Sequence, residues 1–355
     1  MKNIDPAVFT PNASASCEQL TSLTLKKTQR SMSELELLLS CTPSLTHLKL
    51  ISDLPASNTL FDGARWEFFI EQRLPQLEKF EFFLSNTQVR DPASINIDLL
   101  IARFETPFWL HRKRWFIMCN YIPDATRLNL YTLPICETLF LYNFYSKAIS
   151  RTTSSSAAND EGLMNNVRTI RMNLTQAAID LSEKKNECLT APRQFRRVNE
   201  LRVIVDGEWP IGSHQFLSQL IDLSYITKIM LGIDFHRLAN QCTATDIRTL
   251  LEKTSNLCSL EFLRANVTNQ YNTAIENVLL MIPSRVKHLR VSAKTLDDMT
   301  MILEQLKHLS SVSFQLNALD STLCQQLFKW LAQSGRDFTQ RQYKCCIQLW
   351  LGKIT

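Results

Sequence analysis

Apolar positions along the chain follow one recurring spacing, L-x-x-L-x-L, with Val, Ile, Met or Phe standing for Leu in places. It reads LTSLTL from Leu20, LTHLKL from Leu45, LEKFEF from Leu77, VRTIRM from Val167 and VNELRV from Val198. It continues as ITKIML from Ile226, LCSLEF from Leu257, VKHLRV from Val286 and LSSVSF from Leu309. The last six of these nine copies start 31, 28, 31, 29 and 23 residues apart. Counting from the first apolar residue, positions 4 and 6 alternate on an extended chain and face one side, while position 5 faces the other. Each copy therefore predicts a short strand with a buried face and an open face.

Helical spacing follows the strands, with start signals. Ser31 and Glu34 precede Leu35, Leu38 and Leu39 with capping-box spacing. Thr243 with Asp246, Thr273 with Glu276 and Thr295 with Asp298 have the same spacing, and Asp91-Pro92 reads as a cap followed by proline at the first helical position. A final helix from about Asp320 carries Leu323, Leu327, Trp330 and Leu331 and stops near Gly335, before a closing strand from Tyr343. A strand-turn-helix-turn unit of this period is the signature of a leucine-rich-repeat solenoid. The expected fold is α/β: a curved horseshoe with parallel strands on the concave side and helices on the convex side.

Residues 17–352 are expected to form a single array of about 11 units. Residues 1–16 are expected to be an irregular or disordered leader, and 85–165 to hold irregular units with a mobile loop at 146–161. In the blurred stretch Trp115 and Met118 read as strand, and Cys136, Leu139 and Leu141 as one more weak copy. Position 9 adds an independent check, since backbones turn there and want hydrogen-bonding side chains. It is Thr28, Asp53, Ser85, Thr175, Asp206, Asp234, Ala265, Lys294 and Asn317, seven of them able to bond a nearby backbone group.

Composition narrows the function. The 355 residues include 39 basic and 34 acidic side chains, a net +5, too mild to demand an acidic partner. Only 7 are glycine, which disfavours Gly-rich phosphate loops. The N-terminus lacks the apolar stretch of a secretory signal and no apolar run reaches membrane-spanning length, so an intracellular chain, cytoplasmic or nuclear, is expected. Its ten cysteines contain no C-x-x-C pair, and reduced thiols are expected. The sequons at Asn12, Asn173 and Asn266 are then chance matches.

The segment DGARWEFFIEQRLPQLEKFEFF from Asp62, followed by FETPFWLHRKRWFIMCNY and by LYTLP ending at Pro134, resembles the repeat portion of divergent invertebrate F-box/leucine-rich-repeat-like proteins. That resemblance implies substrate recognition for a cullin-type ubiquitin ligase. The F-box itself, which docks on the ligase adaptor, has no L-P-x-E-type counterpart before Leu20, so the resemblance reaches only the recognition half. The chain is expected to begin inside a longer architecture, and a ligase adaptor is a partner only if an F-box lies upstream.

Binding at the concave face is the leading functional expectation, with an unidentified protein as ligand and no cofactor or metal. Its candidate contacts are the position-5 residues Lys49, Glu81, Arg171, Arg202, Met230, Glu261 and Arg290, with Thr24 and Ser313 in the same row. Arg171 and Arg202 lie in consecutive copies and are expected side by side, where like charges favour a carboxylate-bearing partner. A rival reading takes Arg112-Lys113-Arg114 between Trp109 and Trp115, and Arg196-Arg197 after Phe195, as a weak nucleic-acid surface. The modest net charge argues against it. An enzyme is the second rival, through Asp234-Phe235-His236, but no G-x-S-x-G or H-E-x-x-H pattern exists and position 9 already accounts for Asp234. Trp66 shares a helix stripe with Phe69 and Ile70 and reads as core, whereas Trp209 in GEWPIGS reads as an exposed contact.

Overall fold

The computed structural model describes residues 17–354 apart from 55–58, 88–95, 123–125, 143–148, 154–161, 176–178, 180–194, 206, 234–240, 265–278, 294, 317–320 and 344–345. The leader at 1–16, the loop at 146–161, the caps at Asp91 and Thr273 and the Asp234–His236 pair lie at least partly outside the described residues. So do positions Asp206, Ala265, Lys294 and Asn317. The chain divides into two compact units: 1–138 with 145–167, and 139–144 with 168–355.

In the first unit the strands β1 (Ser22–Lys26), β2 (His47–Leu54) and β3 (Lys79–Asn86) run parallel. Each begins two residues after the first apolar residue of its copy. The helices α1 (Met32–Ser40), α2 (Gly63–Arg73) and α3 (Ile97–Ala102) bury Met32, Leu35 and Leu39, then Trp66, Phe69 and Ile70, then Ile97 and Ile101. These join Leu48, Leu50, Phe80 and Phe82 from positions 4 and 6 in one core. The Ser31–Glu34 capping box is present, and Trp66 is core, its Nε1 donating to the Leu60 carbonyl at 3.0 Å.

Beyond β3 the strands reverse. A π-helical turn at Phe108–Lys113 precedes β4 (Phe116–Ile122), β5 (Arg127–Leu133) and β7 (Ile149–Thr152). The sheet order is β1-β2-β3-β5-β4-β7, with every pairing after β3 antiparallel. Met118 lies in β4 as expected, whereas Trp115 lies one residue before it. A knot of aromatic rings explains the loss of the repeat pattern. Trp109, Trp115 and Phe108 pack edge-on against one another, and Phe80 reaches Trp109 and Trp115. Bulky rings replace the leucine ladder, so L-x-x-L-x-L no longer marks the strands.

The second unit carries the longest run of copies. β6 (Leu139–Tyr142), β8 (Thr169–Asn173), β9 (Glu200–Ile204), β10 (Lys228–Ile233), β11 (Ser259–Arg264), β12 (His288–Ser292) and β13 (Ser311–Gln315) pair in parallel, in chain order. The hairpin β14 (Arg336–Tyr343) and β15 (Cys346–Ile354) then joins antiparallel through β15. The closing strand expected from Tyr343 is thus the second arm of a hairpin. Its first arm, RDFTQRQY, is too polar to announce itself. Helices α4 (Ser213–Leu220), α5 (Gln241–Lys253), α6 (Leu296–Gln305) and α7 (Ser321–Gln333) bury Phe216 and Leu217, Ile247, Leu250 and Leu251, Met299, Ile302 and Leu303, and Leu327 and Leu331.

Within each unit the register is the same at every junction between consecutive copies. Positions 4 and 6 of the copies from Leu45 onward are no more than 3% exposed: Leu48 and Leu50, Phe80 and Phe82, Ile170 and Met172, Leu201 and Val203, Ile229 and Leu231, Leu260 and Phe262, Leu289 and Val291, Val312 and Phe314. The backbone repeats with them. The position-2 carbonyl of each copy accepts from the amides at positions 2 and 3 of the next, as Arg168 does from Asn199 and Glu200, and Thr227 from Cys258 and Ser259. A stack whose donors and acceptors match at each step propagates without orphaned backbone groups.

Three expectations change. The weak copy at Cys136 is a strand shifted by one residue: Leu139 pairs with Thr169, so Phe140 and Tyr142 take the inward places. Their rings pack on Phe195, and Leu139 and Leu141 remain 38% and 36% exposed. Thr243 and Asp246 do not start a helix, because α5 begins at Gln241 and Thr243 is buried inside it. Trp209 is not a surface contact. It is 4% exposed, and its Nε1 donates to Asp246 Oδ2 at 2.6 Å. The other oxygen of that carboxylate bonds His214 Nδ1. Asp246 therefore anchors the preceding turn and α4 instead of capping its own helix.

Candidate partner-binding surface on the strand face

Positions 3, 5 and 7 point away from the buried rows, so they build the open face of each sheet. In the first unit the two candidate contacts on this face are satisfied internally, although Arg127 Nε on β5 is buried without a partner among the described residues. Lys49 Nζ donates to the Cys136 carbonyl at 2.7 Å. Glu81 is held by His47 Nε2 at 2.7 Å and by Lys79 Nζ at 3.0 Å. Burial alone would raise the Glu81 carboxyl, but hydrogen bonds from Lys79 and His47 outweigh it and hold the group below the usual carboxylate value of 4.5. Phe83, two residues on, stacks on Tyr131 with ring centroids 5.5 Å apart. Lys49 and Glu81 are thus tied to their own unit.

The second unit is different. Its position-5 row pairs residue by residue across the sheet: Arg171 with Arg202, Arg202 with Met230, Met230 with Glu261, Glu261 with Arg290, and Arg290 with Ser313. The neighbouring position-3 row supplies countercharges to part of it. Arg202 bonds Glu200 at 2.9 Å, and Lys228 bridges Glu200 at 3.6 Å and Glu261 at 2.8 Å. Arg171 and Arg290 are left over. Arg171 is exposed, Arg290 is half-buried, and neither has a hydrogen bond or ion pair with the described residues. Arg290 Nε and Glu261 Oε2 are both buried without a partner although their residues are paired across the strands. The register brings the seven candidate contacts into two rows, one per unit. The larger row carries four basic or acidic side chains and Met230, with a net positive charge.

This row opens into a cavity of about 620 Å³ at its hairpin end. Alternate residues of five adjacent strands line it: Glu261 on β11, His288 and Arg290 on β12, Ser313 on β13, Arg341 on β14, and Gln348 and Trp350 on β15. The sequence pattern missed the contribution of the hairpin, since Arg341 lies in no L-x-x-L-x-L copy. The alternation of Ile347 and Leu349 with Gln348 and Trp350 was the available signal, and it places the last two on the open face.

In the first basic and aromatic cluster of the rival reading Trp109, Trp115, Arg112 and Lys113 have internal roles, whereas Arg114, Arg196 and Arg197 are exposed. Trp109 is fully buried and Trp115 nearly so. Arg112 bonds Glu71 and lies over the Phe108 ring, while Lys113 donates to the Leu77 carbonyl and lies over Trp115. Cys119 and Cys136 are buried, which pushes both thiols up to about 12. They are structural thiols rather than nucleophiles. Among the described residues no group of His, Cys, Asp and Glu is placed to hold a metal ion, and no helix is long and apolar enough to cross a membrane.

No family model and no curated protein matches the chain. Among solved structures, the leucine-rich repeat-containing protein LegL7 from Legionella pneumophila is similar at 12% identity over 86% of each chain, with a TM-score of 0.39. A likeness at that level leaves the fold to be read from the strands themselves.

Proposed function

We propose that the protein is a non-enzymatic binding scaffold whose partner is another protein, held on the strand face of the second unit in the manner of a leucine-rich-repeat solenoid. One observation carries the reading. An uninterrupted row of position-5 side chains runs across six paired strands and includes two arginines, Arg171 and Arg290, without a partner among the described residues. An enzyme needs a nucleophile, base or metal converging on one point, whereas a row of regularly spaced side chains suits an extended segment. The free arginines favour a partner with carboxylates.

Reversing Arg171, Arg202 and Arg290 to Glu together is expected to abolish partner capture from a lysate of the source cells. Capture is scored on variant protein that retains a cooperative thermal transition, because Arg290 is half-buried and Arg202 is paired with Glu200. Undiminished capture by the triple variant would refute the reading.

The finer proposal, substrate recognition for an F-box-type ubiquitin ligase, rests on the resemblance of about residues 45–134. Co-purification of a ligase adaptor with the full-length protein supports it. Capture of the partner without any adaptor would leave a scaffold with no ligase link.

A further inference from the structure

The cavity at the hairpin end of the second sheet is lined by two arginines, Arg290 and Arg341, that have no hydrogen bond or ion pair among the described residues. Arg290 contributes a half-buried guanidinium with no hydrogen bond to any described residue, its Nε shut off from solvent. Arg341 stands on β14 across the same cavity and is likewise unpaired. His288 is taken up by Ser311 Oγ at 2.9 Å. The one carboxylate in the wall, Glu261, is neutralised by Lys228 at 2.8 Å. Trp350 is 41% exposed beside them. A partly desolvated arginine without an acceptor is a cost that a ligand oxygen pair can remove.

Deepening the scaffold reading on which it rests, we propose that this cavity is the anchor site for an acidic side chain of the partner. A Glu or Asp of an extended segment would be clamped by Arg290 and Arg341, with the adjoining residue of the segment against Trp350. About 620 Å³ accommodates a few residues of peptide and lies within the usual range for ligand pockets, roughly 300–1,000 Å³. Ser313 and Gln348 supply neutral hydrogen-bonding groups on the floor between the two arginines.

The test uses the full chain and a fluorescent peptide of four glutamates, with its four-glutamine counterpart and inorganic phosphate as competitor. Binding of the glutamate peptide and none of the glutamine peptide is expected. Arg290→Gln and Arg341→Gln should each weaken binding about tenfold or more, the scale of a lost charge-assisted hydrogen bond. Arg290→Lys should keep part of it, and Arg248→Gln on the helix side should leave it unchanged. Arg341 is exposed and bonds nothing described, so its variant reports on binding without a folding penalty. Equal binding of both peptides would overturn the proposal, as would displacement by equimolar phosphate, which would make the cavity a simple oxyanion site. Loss of binding through Arg171→Glu with Arg290→Gln and Arg341→Gln unaffected would also overturn it, while leaving the scaffold reading intact.

Discussion

Glu81 shows how far a single residue's role depends on its neighbours. In sequence it is one more charged position-5 side chain, equivalent to Glu261. In the structure His47 and Lys79 close on it and hold its carboxyl below the usual value. A carboxyl with a depressed folded-state pKa binds fewer protons than in the unfolded chain, so it contributes stability above the unfolded value. That contribution fades as pH falls through 4.5 and the depressed folded value below it. Urea titrations at neutral pH and near pH 4 should therefore show Glu81→Gln losing more stability at neutral pH, with the gap to wild type closing in acid. A gap that stays constant would mean the pairing contributes nothing. Trp209 and Asp246 teach the same lesson. Each residue type was read in its local frame, as turn aromatic and as helix cap. Their hydrogen bond spans 37 residues and no local rule announces it.

At the scale of elements the sequence is most legible where structure is local. All nine apolar copies become strands that begin at the third residue of the motif. Two of the capping boxes, Ser31 with Glu34 and Thr295 with Asp298, are present as reciprocal bonds. Removing the second, Thr295→Ala, should cost about 1 kcal/mol, measured as a lower denaturation midpoint at unchanged slope. A variant as stable as wild type would show that α6 is fixed by its buried Met299, Ile302 and Leu303 alone. Among the strands paired antiparallel, β5, β7 and β14 were left illegible, whereas β15 and, through Met118, β4 were read. β4, β5 and β7 pair by return of the chain, not by repetition, so periodicity carries no trace of them. β14 hides for another reason. Its residues Thr339, Gln340, Arg341 and Gln342 are all exposed, so no buried face imposes an alternation.

For the whole molecule, the two units differ in what their open strand faces leave available. The first ties its candidate contacts Lys49 and Glu81 to the Cys136 carbonyl and to His47 and Lys79, and leaves Arg127 Nε without a partner among the described residues. The second leaves Arg171 and Arg290 unmatched and ends in a lined cavity. The position-5 row was readable from spacing alone, including the Arg171–Arg202 neighbours, because the register is constant. Which members are spent on internal ion pairs was not readable, since that depends on the position-3 row beside it. The central claim is that partners meet the strand face of the second unit. A photo-crosslinking amino acid placed at Met230, in the middle of the row, tests it directly against the same group at Arg248 on the exposed side of α5. The account predicts a partner adduct from position 230 and none from position 248. Adducts from the helix side alone would contradict it.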